Sequence, residues 1–271
     1  MILLNCRKAK LPENLVPSRI MGRIFFISSF RFFLFVVFQW VGSYLLYSQS
    51  QITFRQLSVR EGLSQSSAIS VTQDSRGYLW VATQDGLNKY DGRQFTSFPY
   101  RFEDITKPNY SRLGKVYTDR KGGVWIIPMN GVPHKLDKEK NIFRPVTGIA
   151  DASIIFQDVQ FNIWVGTYSQ GLYKLDLDSH KAIPVIGTRQ INGPIYKISQ
   201  DSDGNILLGT GTGIVELNPK SKKTTFLQPK NIEEKSIEEN ISSLVLDLDN
   251  RQWIGTYGDG LYFRKGKEPF F

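Results

Sequence analysis

The chain is poor in the residues that most catalytic and redox chemistry needs. Its 271 residues include one cysteine, Cys6, and two histidines, His134 and His180. A single cysteine excludes an intrachain disulfide, so the fold must be held by packing, for which 13% aromatic residues supply material. Cys6 reads as incidental rather than as a lipid anchor, because Met1–Asn5 before it holds no charged segment followed by an apolar stretch. Neither histidine, in "VPHKLD" or "LDSHKA", lies in a helical phosphoacceptor context, and no glycine-rich nucleotide-binding boxes follow. No His/Cys set has metal spacing, and no Ser, His and acid set stands out. Asp201-Ser-Asp-Gly-Asn205 imitates the start of a calcium loop, but Thr212 stands where the closing glutamate is required, so a plain turn is expected. Gly209-Thr-Gly-Thr-Gly213 imitates a phosphate cradle, yet Ile214–Leu217 after it reads as a strand and not a helix. No enzyme is expected, and no catalytic, cofactor-binding or metal residue is assigned.

Charge of one sign is also scarce once the chain is divided. The formal net charge is +9, but residues 1–50 carry six Lys and Arg against Glu13 alone, leaving 28 basic and 24 acidic residues downstream. Mixed charges at that ratio describe an ordinary solvated surface and exclude a nucleic-acid partner. The cluster Lys220, Lys222, Lys223 falls in a predicted turn.

Residues 1–50 form a leader. Arg19 and Arg23 precede the apolar run Ile24–Tyr47, which Arg31 breaks and Ser48-Gln49-Ser50 follows. A positive flank, an apolar core and a small-x-small site make a secretory signal, so the rest of the chain is expected to be extracytoplasmic. The uncharged stretch Phe32–Tyr47 falls short of the roughly 20 residues that cross a bilayer, which favours a cleaved signal over a retained inner-membrane anchor. Met21, directly before Gly22 and Arg23, fits the start of such a signal better than Met1 does.

What remains is repetition. An acid, a large apolar residue six positions later and a glycine six or seven beyond that recur as Asp74/Trp80/Gly86, Asp119/Trp125/Gly131, Asp158/Trp164/Gly171, Asp201/Leu207/Gly213 and Asp247/Trp253/Gly260. The acids are 45, 39, 43 and 46 residues apart, the period of a four-stranded propeller blade. In the first repeat, Ala68–Gln73 alternates apolar and polar as a half-buried strand, and Asp74–Gly77 supplies a turn. Tyr78–Thr83, Leu87–Tyr90 and Gln94–Phe98 read as three further strands, joined by Gln84-Asp-Gly86 and Asp91-Gly92. The same reading runs through Val116–Val146, Ile154–Ile186, Ile195–Leu227 and Leu244–Phe263. Each acid is expected to accept turn amides, and each tryptophan to pack between blades rather than stack on a sugar. The small residues Ala82, Gly166, Gly209 and Gly255 are expected to admit the neighbouring blade, and Pro128 to disturb the second blade. Phe161, standing where Gly77, Gly122 and Gly204 stand, predicts a different turn in the third.

The residues "GLSQSSAISVTQDSRGYLWVATQDGLNKYDGRQFTSF" resemble the opening repeat of the two-component regulator propeller, the periplasmic sensor region of bacterial hybrid two-component sensor kinases. The resemblance extends over about residues 54–263. It implies an all-β fold, a β-propeller of which about five four-stranded blades are visible here, at about 52–100, 110–147, 152–187, 193–228 and 241–271, behind an N-terminal hydrophobic signal or anchor helix. It also implies a larger, seven-bladed ring, and in the family plan two propellers followed by a β-sandwich, a membrane helix and an output domain. Gln51–Leu57 reads as an orphan fourth strand: either Ile52–Leu57 completes the fifth blade of a small closed ring, or the chain is the opening piece of the larger one, which the resemblance favours because the fifth repeat breaks off at Glu268–Phe271.

The function implied is an extracytoplasmic ligand-sensing propeller of a two-component receptor, with carbohydrate or another small molecule as ligand, the remaining blades and kinase portion as partners, and a dimer when complete. A structural or partner-binding propeller with no sensor role is the alternative. A second is a sialidase-like glycoside hydrolase, whose Asp-box the acid-x-x-Gly-x-x-Trp turn resembles; three converging arginines and a nucleophilic tyrosine are not apparent. Loop residues that break the repeat, Tyr110, Met129, Asn130, Tyr168 and Tyr257, are the candidates for ligand contact, each with a structural reading that outweighs it.

Overall fold

The computed structural model describes residues 53–100, 113–191, 193–227 and 240–265. The leader with Cys6 and Met21, the residues Gln51 and Ile52, Tyr110 and the terminal Glu268–Phe271 lie outside them. Residues 1–56 and 57–271 divide as two units, and every described strand belongs to the second. The chain builds a β-propeller from five antiparallel sheets. Blade 1 comprises β1 (Ala68–Gln73), β2 (Leu79–Thr83), β3 (Gly86–Tyr90) and β4 (Phe95–Pro99). Blade 2 holds β5 (Leu113–Thr118), β6 (Val124–Pro128), β7 (His134–Asp137) and β8 (Ile142–Pro145). Blade 3 holds β9 (Ala152–Gln157), β10 (Ile163–Thr167), β11 (Leu172–Asp176) and β12 (Lys181–Ile186). Blade 4 holds β13 (Ile195–Gln200), β14 (Ile206–Thr210), β15 (Gly213–Leu217) and β16 (Thr224–Leu227). The fifth sheet has three described strands, β17 (Ile241–Leu246), β18 (Arg251–Thr256) and β19 (Leu261–Lys265).

Each sheet pairs its strands in sequence order, as short hairpins dictate, and the first strands β1, β5, β9, β13 and β17 neighbour one another in series as the inner wall. The second strands carry the core: β6, β10 and β14 are buried at every residue. Sheets buried on both faces read as continuous apolar runs, hence Val-Trp-Ile-Ile, Ile-Trp-Val and Ile-Leu-Leu. The orphan segment does not behave as a strand. Its described part, Thr53–Leu57, has no strand conformation, and Phe54 is 93% exposed.

Small residues meet large ones across the blade boundaries. A Cβ on Gly166 would sit 2.7 Å from Ile195 Cγ2 of the next blade, and one on Gly209 would sit 2.7 Å from Ile241 Cγ2. At the first boundary Ala82 shares a buried cluster with Leu113. At the second the sizes are exchanged: the bulky Ile127 shares its cluster with Ala152. The sum of the two side chains is what the interface fixes, since the packed interior tolerates neither a void nor an overlap. Pro128 has its expected effect, the β6–β7 ladder being reduced to Trp125↔Lys135 and Ile126↔His134.

Candidate functional site

The two ends of the inner strands are built differently. At the far end stand the repeated acids. Asp74 Oδ1 accepts from the amides of Arg76 (3.0 Å) and Tyr78 (3.1 Å), and Oδ2 accepts from Trp80 Nε1 at 2.9 Å. Asp119 does the same with Lys121, Gly123 and Trp125, and Asp247 with Asp249, Arg251 and Trp253. Asp158 takes the Asn162 amide and the Trp164 indole. The turn amides were legible in the sequence; the indole bond was not, and it makes each tryptophan a packing residue and a donor at once. Where Leu207 replaces tryptophan, Asn205 Nδ2 donates to Asp201 Oδ2 at 3.1 Å, so the second oxygen keeps a partner. That also accounts for the calcium-like sequence, whose Asp201 oxygens face Asn205. Burial raises the Asp74 carboxyl, but the indole and two amides outweigh it and hold it below the usual carboxylate range. For Asp247 the Trp253 indole leads a set of donors that hold it well below that range.

A glutamine before the acid links successive blades at this end. Gln157 Oε1 accepts from the Arg120 amide and Gln200 Oε1 from the Val159 amide, both at 2.8 Å and both from the preceding blade. The expected difference at Phe161 is absent. Phe161 takes φ +67 and its amide donates to the Asp158 carbonyl, as Gly77, Gly122 and Gly204 do to their acids. Asp158 accepts four bonds here, from the amides of Phe161 and Asn162, from Asn162 Nδ2 and from the Trp164 indole, and together they hold a side chain in the left-handed region that glycine would favour.

At the near end every inner strand carries a one-residue bulge. Register slips between Ala68 and Ser70, Leu113 and Lys115, Ile195 and Lys197, and Ile241 and Ser243, and Thr167 pairs with Ala152 while Gly166 pairs with Ile154. Bulges bend a strand and re-aim its side chains. The strand starts read from the sequence, Val116, Ile154 and Leu244, fall after the slips, because the extra residue breaks the alternation by which a strand is recognised. Close to these starts lie the turns that follow the second strands, tied by Tyr168 N to Asp151 O and Tyr257 N to Asn240 O, each 3.0 Å.

The bulged strands and the turn at Tyr257 border an open cavity of about 370 Å³ lined by Lys115, Tyr196, Lys197, Asn240, Ser242 and Tyr257, together with Ile241. Of the candidates named from the sequence, Tyr257 lines it and is 78% exposed, while Tyr168 sets its ring edge-on to Tyr196 with centroids 6.3 Å apart. Met129, 62% exposed, and Asn130 belong to the turn after β6; Asn130 Oδ1 accepts from Val132 N at 3.1 Å, a turn role. Lys115, Tyr196, Lys197, Asn240 and Ser242 were missed, though the polar residues of Leu113-Gly-Lys and Ile195-Tyr-Lys were the visible signal. Lys115 Nζ donates to Ser153 O at 2.6 Å. Partial desolvation, with the Lys197 charge acting in the same direction, holds its ammonium below the ordinary lysine value.

The histidines are structural. His134 Nδ1 lies 2.8 Å from the Val132 carbonyl and must carry the proton there, leaving Nε2 to accept from Tyr100 OH at 3.3 Å. Burial lowers the His134 imidazole. His180 occupies a turn at φ +53.

Comparison with known proteins agrees with this architecture. Residues 62–85 match the model of the family described as two component regulator propeller. In that stretch Leu63 is buried and Ser64 reaches Thr83 Oγ1 at 2.8 Å and accepts from Asn88 Nδ2 at 2.8 Å, tying the leading Gly-Leu-Ser to the first blade. A stretch of 71 residues, 26% of this chain, is 41% identical to histidine kinase P4 of Formosa agariphila and spans 5% of its length. The extracellular domain of a one component system of B. thetaiotaomicron superposes with a TM-score of 0.64 at 20% identity, over 80% of this chain and 32% of that one. The extracellular domain of a hybrid two component system from the same organism gives 0.55 at 22% identity, over 80% and 36%. This chain thus spans about a third of those solved chains, and their likeness to it is one of fold. Residues 62–85, which open the first blade, are thus a two component regulator propeller repeat, and the later blades repeat its acid turn in the same fold.

Proposed function

We propose that the chain is the ligand-sensing propeller of an extracytoplasmic receptor whose kinase or output domain is carried outside this sequence. The observation that supports it most is the cavity at the bulged ends of the inner strands, in a fold shared with extracellular domains of signalling systems. A rigid set of blades holds a concave site whose lining varies from repeat to repeat, so it suits recognition without catalysis. Carbohydrate or another small molecule is the ligand class, the remaining blades and the kinase portion are the partners, and the complete receptor acts as a dimer. Ligand bound to one arrangement of two receptor chains better than to another shifts the balance between them. The leader directs export. Arg144 and Arg251 are tied within their own sheets to Asp137 and Asp247, and Arg264 is held by Gln252 of its own sheet and Glu216 of the preceding blade; these separate partners disfavour the sialidase-like reading.

Titration calorimetry of the chain against a panel of oligosaccharides tests the reading. One-site binding that disappears in Tyr196→Ala/Tyr257→Ala supports it. The absence of binding across the panel, or binding that the double variant leaves intact, removes the cavity from the proposal. An alkaline phosphatase fusion after Gln51 tests export, with activity expected and its absence counting against an extracytoplasmic role.

A further inference from the structure

The third position of the inner strands, just past the bulge, is occupied in blade order by Ser70, Lys115, Ile154, Lys197 and Ser243. The two lysines stand on alternate blades, yet both line the one cavity. They are near enough that the charge of Lys197 depresses the ammonium of Lys115. The described residues that line that cavity include no carboxylate, and the described ion pairs, Arg144–Asp137, Arg251 with Asp247 and Asp249, and Arg264–Glu216, involve neither lysine. Two like charges gathered at one cavity repel each other, and an anion between them offsets that cost.

The rest of the lining specifies what the anion is attached to. Tyr196 and Tyr257 offer ring faces and edges, Ile241 an apolar wall, and Asn240 and Ser242 groups that both donate and accept. Aromatic rings beside paired amide and hydroxyl groups suit a body that is apolar on its faces and hydroxylated at its edges. A volume of about 370 Å³, open to solvent, has room for a small saccharide. Lys115 is held in place by the Ser153 carbonyl, which uses one of its three donors.

We propose that this cavity takes an acidic saccharide, Lys115 and Lys197 receiving its carboxylate while Tyr196 and Tyr257 flank its ring. The inference rests on the reading of the chain as a ligand-binding propeller and narrows it from saccharides in general to those carrying negative charge.

The test is calorimetric titration of the full chain with digalacturonate, with its neutral counterpart digalactose, and with inorganic phosphate, each also against Lys115→Met/Lys197→Met. Methionine keeps the apolar stem, and urea unfolding of the variant beside the parent establishes that the fold is retained. Digalacturonate is expected to bind the parent at least tenfold more tightly than digalactose, to lose at least tenfold in the double variant, and to weaken as salt is added. Digalactose binding as tightly as digalacturonate overturns the inference and leaves the sensor reading standing. Inorganic phosphate binding as tightly as digalacturonate overturns the saccharide part, since the rings would then contribute nothing. Binding of neither sugar overturns the inference together with the assignment of this cavity.

Discussion

The two ends of the inner strands are made from the same five repeats and have opposite characters. At the acid end, a carboxylate accepts turn amides in every blade, four of the five add an indole, and blade 4 has in its place only the asparagine bond that blade 3 makes beside its indole. At the bulged end no two blades carry the same pair of residues: Ile69-Ser70, Gly114-Lys115, Ser153-Ile154, Tyr196-Lys197 and Ser242-Ser243. The backbone device is shared while its cargo varies. A repeat protein must keep whatever closes its hairpins and seats its blades, whereas a position that faces a cavity is released from that duty. Repetition therefore marks scaffold, and the place where it lapses on an otherwise repeated backbone marks the site.

The sharpest way to break that comparison is at the acid end. Trp164 is 3% exposed and its indole donates to Asp158 at 2.9 Å. Trp164→Ala should cost about 3–5 kcal/mol of unfolding free energy, measured in urea. Trp164→Phe keeps most of the packing and removes the donor; a loss of about 1.5–3 kcal/mol would assign the bond its share. A Phe variant as stable as the parent would mean that the indole bond does no more than replace water.

The blade boundaries come next in size. Gly166→Ala places a methyl against Ile195 and should destabilise by about 1–3 kcal/mol, because the contact is with a packed neighbour rather than a flexible tip. Combined with Ile195→Ala, it should cost less than the sum of the two single changes, by at least about 0.5 kcal/mol. The chain already holds the exchanged pair, Ile127 with Ala152. Simple additivity in the double-mutant cycle would show that the paired sizes are coincidence.

Much of this scaffold was legible because its causes are local. Turn acids, hairpin glycines and the 39 to 46 residue period are read directly along the chain, and the strands of blade 1 fall within one residue of where alternation puts them. The glutamine links between blades and the meeting of Lys115 with Lys197 were not legible, since they join residues 37, 41 and 82 positions apart that only the stacking of sheets brings together. Phe161 failed in the other direction. A sequence rule that expects glycine at positive φ ignores the neighbours that can enforce it. Phe161→Gly should relieve that conformation and raise stability by about 1 kcal/mol, a few degrees in Tm, whereas Phe161→Ala should not.

The smallest expected effect is the one that tests the other side of the comparison. Tyr257 is 78% exposed, and its structural tie runs through the backbone, from its amide to the Asn240 carbonyl. Truncating the side chain in Tyr257→Ala leaves that bond in place, so unfolding free energy should stay within about 0.5 kcal/mol of the parent. Tyr168 is a harder case, since its ring meets Tyr196 edge-on and some stability should go with it. A loss above about 1 kcal/mol for Tyr257→Ala would mean that the ring serves the blade and not the cavity, and the bulged end would then be scaffold as well. A stable Tyr257→Ala chain keeps the division intact: residues that repeat hold the blades, and residues that differ face what the propeller meets.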